Sequence, residues 1–307
     1  MKRKTFFLIA TFFFSFSTYA KIQVAVTVDD LPSHSKIPSN TTRVEVAQKM
    51  LAALKAQHVP EVYGFINAAK LKEDDDLAKV LQLWIKEGFP LGNHTWSHKS
   101  LHKSSVEEFE KEIDDNEKSL EQYGSKYNWR YFRYPFLHEG NTLEKRSSIR
   151  SYLRKKGYKT AQVTVDFEDW SWNDPYVRCS EKKEALQIEW LKQTYLQSAI
   201  DQLHRAEALS QGLFHKSIAH ILLLHIGAFD AEMIEKLLEA YKKEGVEFIP
   251  LSEALNDDIY SIDPAVTLES GSEFTFQVMK SRGLTQKDFG LQPYAGYPQE
   301  KLEKVCR

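Results

Sequence analysis

Residues 22–30 read IQVAVTVDD, and this stretch decides the fold. Positions 22–28 form a dense β-branched run, the composition of a strand, and two aspartates close it. Helical periodicity follows over 44–57. The same alternation then repeats along the chain. Strands are expected over 62–66, 89–91, 131–133, 160–165, 218–224 and 247–249. Helices are expected over 74–87, 106–123, 143–156, 184–209 and 230–243. Such alternation implies parallel strands joined by helical crossovers. Seven or so units of this kind fit an α/β barrel better than an open sheet. Residues 260–307 lack the alternation. They read as a C-terminal extension packed on the barrel, with a helix near 285–289.

The first twenty residues stand apart. Lys2, Arg3 and Lys4 precede an apolar run over 6–16, and Thr18 and Ala20 supply small residues for a cleavage site. That is the three-part pattern of a secretory signal peptide, and the run is too short to span a bilayer. The expectation is an exported chain, periplasmic or secreted, without a stable membrane anchor. Residues 1–20 would be the leader, 21–259 the catalytic domain and 260–307 the extension. Without 1–20, which hold three basic residues and no acidic one, 38 Lys and Arg face 43 Asp and Glu, a formal net charge of −5. That balance argues against nucleic acid as a partner. The chain has a hydrophobic share of 42%, enough for a sizeable core. Cys179 and Cys306 are compatible with a disulfide or with two buried thiols.

The polar residues of interest follow expected strands, where parallel barrels build their active sites. Asp29 and Asp30 end the first strand. Adjacent carboxylates repel, so a cation holding one of them would explain the pair, although Asp-Leu-Pro is also ordinary turn chemistry. His94 and His98 are four apart; on one helical turn they would share a face and bind one metal. With an aspartate they make a two-histidine, one-carboxylate set that leaves positions open for water and substrate. Arg133 precedes Pro135 and is suited to hold a carboxylate ionised. Asp166, Glu168 and Asp169 lie beside Trp170, in what is equally a solvated acidic loop. His225 ends an apolar strand, a place where a lone histidine is more often a core residue than a catalyst.

Taken in order, the five segments around Asp29–Asp30, His94–His98, Arg133–Phe136, Asp166–Trp170 and Leu223–His225 resemble the five motifs of carbohydrate esterase family 4, the NodB-type polysaccharide deacetylases. The resemblance covers roughly residues 22–255. It implies a distorted (β/α) barrel of seven or eight strands and a divalent metal, zinc first, with cobalt or nickel also suited to such ligands. By match, Asp29 is the catalytic base and Arg133 its partner. Asp30, His94 and His98 are the metal ligands. His225 is the catalytic acid and Asp169 tunes it. Trp170 and Leu223 wall the acetyl pocket, and Phe136 supplies a backbone N–H to the oxyanion. Val28 and Phe136 depart from the usual Phe and Tyr, which leaves polymer specificity open.

The expected function is therefore metal-dependent removal of N-acetyl groups from an amino-sugar polymer, peptidoglycan or chitin-like, by a monomer. The competing readings are an O-acetyl polysaccharide esterase, a non-catalytic glycan-binding barrel and a cytosolic amidohydrolase. Intact Asp29 and His225 speak against the second, and the leader against the third.

Overall fold

The computed structural model describes residues 21–292 and 298–307; the leader expected over 1–20 lies outside them. Seven strands form one parallel sheet: β1 (Ile22–Leu31), β2 (Tyr63–Ile66), β3 (Leu91–Asn93), β4 (Tyr131–Phe132), β5 (Lys159–Thr160), β6 (Ala219–His225) and β7 (Val246–Phe248). Among the described residues ten helices connect and flank them: α1 (Arg43–Ala56), α2 (Asp76–Lys86), α3 (Val106–Gly124), α4 (Leu143–Lys155), α5 (Asn173–Glu181), α6 (Ala185–Phe214), α7 (Ala228–Lys243), α8 (Leu251–Ala254), α9 (Phe274–Ser281) and α10 (Gln299–Lys304).

The strand order is β5-β4-β3-β2-β1-β6. β1 pairs with β6 from Gln23 to Asp29, and with both β7 and β2 along its length. It is buried from Val24 to Leu31, as a central parallel strand covered on both faces must be. The expected strand over 160–165 is not one strand. Lys159–Thr160 pairs with β4, and the chain then crosses to β6, where Thr164 and Val165 donate to the Ile221 carbonyl and Leu223 donates back to Val165. That change of partner curls the sheet and draws its two edges together, giving the distorted barrel of the deacetylase type.

The barrel interior is filled by alternate inward positions, Ala25, Tyr63, Phe65, Tyr131, Ala161 and Ile221, capped by Ile249 and Leu251. The intervening residues Val24, Val26 and Val28 pack outward with Met50, Leu54, Leu203 and Leu237 of the helices. α1 and α3 begin with capping boxes, Thr42 with Glu45 and Ser105 with Glu108, which satisfy orphan amide donors at helix starts. Among the described residues no helix is long and apolar enough to cross a membrane.

The tail beyond 260 packs on the barrel as expected, but with more structure than one turn. Besides a short 3₁₀ turn, Gln286–Phe289, it carries α9 and α10. Phe274 N–H donates to the Val163 carbonyl. Cys306 is disulfide-bonded to Cys179 of α5, so the tail is tied to the segment that follows β5.

Candidate active site

A strand sends successive side chains to opposite faces, so Asp29 and Asp30 should diverge. They do not. The register between β1 and β2 shifts between Val28 and Leu31, and Asp30 adopts φ +68°. This break in alternation brings both carboxylates to one cleft of about 370 Å³ at the carboxyl ends of the strands.

His94 follows β3, and its Nδ1–H donates to the Arg133 carbonyl at 2.8 Å, which leaves the Nε2 lone pair free. His98 comes to the same point, but not by the expected helical turn. Thr95 and His98 have φ of +66° and +60°, and the connection is irregular. Glu112 of α3 holds this turn, accepting from Ser97 N–H and Oγ and, through its carbonyl, from Trp96 N–H. The two rings meet edge-on, 4.9 Å apart.

Asp30 Oδ1 lies 3.3 Å from His98 Nε2 and 3.6 Å from His94 Nε2. It is buried without a hydrogen-bond partner. The three ligand atoms lie within 4.8 Å of one another. Burial holds both histidines below their usual range, His98 at about 4, so both are neutral donors. Two lone pairs and one orphaned carboxylate oxygen fit a divalent cation. The other oxygen, Oδ2, takes a 2.7 Å hydrogen bond from His34 Nδ1. Burial alone would raise Asp30, yet His34 and the Lys70 ammonium outweigh it and keep the carboxyl well below its usual range.

Asp29, 2% exposed, faces different partners. Arg133, fully buried, places Nη1 3.1 Å from both of its oxygens. The remaining guanidinium donors go to the Ala161 carbonyl and Thr27 Oγ1, which locks the fork in place. Burial pushes the Asp29 carboxyl up to about 6, against the pull of Arg133 and His225.

His225 is the register partner of Asp29 across β1 and β6. Its Nδ1 lies 2.8 Å from Asp169 Oδ1, and its backbone N–H donates to Asp169 Oδ2 at 2.7 Å. Asp169 is completely buried, which raises it to about 6 in spite of these bonds. Leu223, Trp170 and Phe136 line the same cleft, with Trp170 and Phe136 exposed at its rim. Phe136 sits at φ +58° with its ring 4.4 Å from that of His98.

All ten residues singled out in the sequence therefore meet in one cleft or touch a residue that lines it. Sequence reasoning gave no role to four others there: His34, Tyr134, Leu137 and Gly271. Asp-Leu-Pro-Ser-His places His34 four residues after Asp30, a spacing that signalled the contact. Gly271 carried no signal, because it comes from the tail. A Cβ at 271 would stand 1.7 Å from the Phe136 carbonyl oxygen, so only glycine permits this approach.

A family model for polysaccharide deacetylases matches residues 17–161. That match takes in just under half of the chain, and with the curated relatives it makes the chain similar to the NodB-type deacetylases of carbohydrate esterase family 4. It is 26% identical over 152 residues to a peptidoglycan-N-acetylglucosamine deacetylase of Bacillus cereus, a match that takes in 50% of this chain and 48% of the relative. The chain thus spans about half the length of that curated relative. In fold it is similar to a mutant form of the peptidoglycan deacetylase PdaC of Bacillus subtilis, with TM-score 0.51 at 20% identity over 76% of this chain and 90% of that one. It is equally similar to BA3943 of Bacillus anthracis, described as a family 4 pseudoenzyme, with TM-score 0.52 at 17% identity over 77% and 66%.

Proposed function

We propose that this chain is an exported hydrolase that removes N-acetyl groups from an amino-sugar polymer, peptidoglycan first and chitin-type oligomers second. The observation that carries the reading is a single cleft in which Asp29–Arg133, Asp169–His225 and the Asp30, His94, His98 trio converge. A peptidoglycan deacetylase among the relatives supports the choice of polymer.

A divalent cation held by the trio, zinc first, would polarise the amide carbonyl and acidify water. Asp29 takes the proton of the attacking water. At about 6 its carboxyl is ionised at neutral pH yet basic enough to accept. Arg133 keeps it aimed. With Nδ1 engaged by Asp169, Nε2 is the nitrogen of His225 left to protonate the departing amine. The Phe136 amide is the oxyanion donor by resemblance. Trp170 and Leu223 flank the acetyl group, and the exposed Trp170 and Phe136 offer apolar faces to sugar rings.

A glycan-binding role would need neither base nor acid. The test is incubation of the purified, metal-loaded chain with peptidoglycan muropeptides, chito-oligomers and acetylxylan, followed by mass spectrometry. Acetyl loss from the first or second supports the proposal. Loss from acetylxylan alone makes it an O-acetyl esterase, and binding without acetyl loss makes it a pseudoenzyme.

A further inference from the structure

One buried carboxyl near the cleft has no place in the hydrolytic roles above. Asp230 lies in the first turn of α7, five residues after His225, and has no solvent exposure. Tyr195 of α6 donates its hydroxyl to Asp230 Oδ1 at 2.9 Å. The Tyr195 ring is held edge-on by Phe167, Trp172 and Phe229, with centroids 5.0, 5.7 and 5.4 Å away. The other oxygen, Oδ2, lies over the backbone that leaves His225. A Cβ at Gly227 would stand 2.3 Å from it, so the carboxyl occupies space that only glycine leaves open.

Its carboxyl is in hydrogen-bond contact with that of Asp169. Burial, and then the Asp169 charge, push Asp230 well above the usual carboxylate range. Two adjacent buried carboxyls cannot both ionise cheaply. Asp169 receives two N–H donors from His225, whereas Asp230 receives one hydroxyl. The charge therefore belongs on Asp169 and the proton on Asp230. A neutral acid beside a carboxylate is a donor that fixes its orientation.

We propose that Asp230, anchored by Tyr195 and seated over Gly227, is a positioning residue that holds Asp169 against His225 and so sets the aim of the acid that protonates the leaving amine. This rests on the reading of His225 as that acid. A residue acting through the acid should matter most where the leaving group needs a proton. An amine does, whereas the phenolate of an activated aryl acetate leaves unaided.

The experiment measures kcat and KM on a chito-oligosaccharide and on an aryl acetate for the metal-loaded wild type, Asp230→Ala, Asp230→Asn, Tyr195→Phe and His225→Ala. Asp230→Ala is expected to lower kcat on the amide about 10- to 100-fold, the usual range for residues supporting a ligand or catalyst from behind, with KM little changed and a clearly smaller loss on the ester. Asp230→Asn, neutral and of the same shape, should restore most of the amide rate. An amide-to-ester ratio equal to wild type in Asp230→Ala, or Asn as damaging as Ala, overturns the proposal. Where Asp230→Ala does not fold, Tyr195→Phe decides. A fall in the amide-to-ester ratio supports the proposal, and an unchanged ratio refutes it. His225→Ala separates the two levels. Equal losses on both substrates in that variant remove the acid role itself, and the inference with it. A selective loss there, without one in Asp230→Ala, removes the inference alone.

Discussion

Replacing Arg133 by Met tests the buried pair on which the proposed base depends. Met keeps an unbranched side chain and removes the charge. The guanidinium is 1% exposed and reaches both Asp29 oxygens at 3.1 Å. Removing one partner of a buried pair strands the other, at a typical cost of about 3–5 kcal/mol. That is a large share of the roughly 5–15 kcal/mol by which folded domains are stable, yet compatible with a folded variant.

The cost has a direction in pH. Burial already pushes Asp29 to about 6, and Arg133 is the strongest influence opposing it. Without Arg133 the carboxyl rises further. A carboxyl raised on folding binds a proton in the folded chain where the unfolded chain, near 3.8, has released it. Stability from this group is therefore greatest at low pH and is lost as pH rises through the folded value. Each further unit of displacement adds about 1.4 kcal/mol to the deficit at high pH. Urea unfolding of chelator-treated wild type and variant, at pH of about 5 and about 8 on either side of this window, should show the larger gap at the higher pH. The acid limb of kcat/KM in the metal-loaded enzyme should move upward in parallel. An equal gap at both pH values would trace the loss to the vacated bonds to Thr27 and Ala161 and refute the charge argument.

His98→Ala should lower bound metal and deacetylation in step; full metal occupancy by elemental analysis would remove His98 from the ligand set. Asp29→Asn should stay metal-loaded and lose about 10²–10⁴-fold in turnover, the range for a general base. A near-normal rate would pass that role to Glu168, which lines the same cleft. Cys306→Ser should lower Tm under non-reducing conditions. The bond closes 127 residues, worth about 4–5 kcal/mol on the chain-entropy account, and an unchanged Tm would mean the tail is held by packing alone.

The fold was largely legible because its helices and central strands carry strong periodicity. α1, α3, α4 and α7 begin and end within about two residues of their expected limits, a normal boundary error. The stretch 160–165 was misread because it is apolar and β-rich along its whole length, while its hydrogen bonds change partner midway from β4 to β6. Composition cannot show a change of partner. The histidine pair was legible as chemistry and illegible as geometry. A four-residue spacing is the signature of a helical face, but Thr95 and His98 reach the same point through left-handed backbone anchored on Glu112. Gly271 and Asp230 were out of reach, since a tail glycine and a helical aspartate acquire meaning only from what folds against them.

The adjacent aspartates show how one dipeptide supplies two kinds of chemistry. They share a cleft and near-total burial, so desolvation raises both alike. Partners decide the difference. Asp30 has His34 on one oxygen and Lys70 nearby, which keeps it ionised over any working pH. Its second oxygen, left without a partner, faces His94 and His98 as an anionic ligand should. Asp29 has Arg133 and, more weakly, His225 against its burial and stands near 6, where a carboxylate is ready to take a proton at neutral pH. Environments that push two neighbouring carboxyls apart assign them different roles. A barrel that merely bound sugar through a structural metal would use the first of these states and gain nothing from the second. Arg133→Met therefore asks more than whether one ion pair is stabilising. If Asp29 is driven up and sugar affinity survives while acetyl release fails at neutral pH, the separation of the two aspartates is a catalytic feature of the fold.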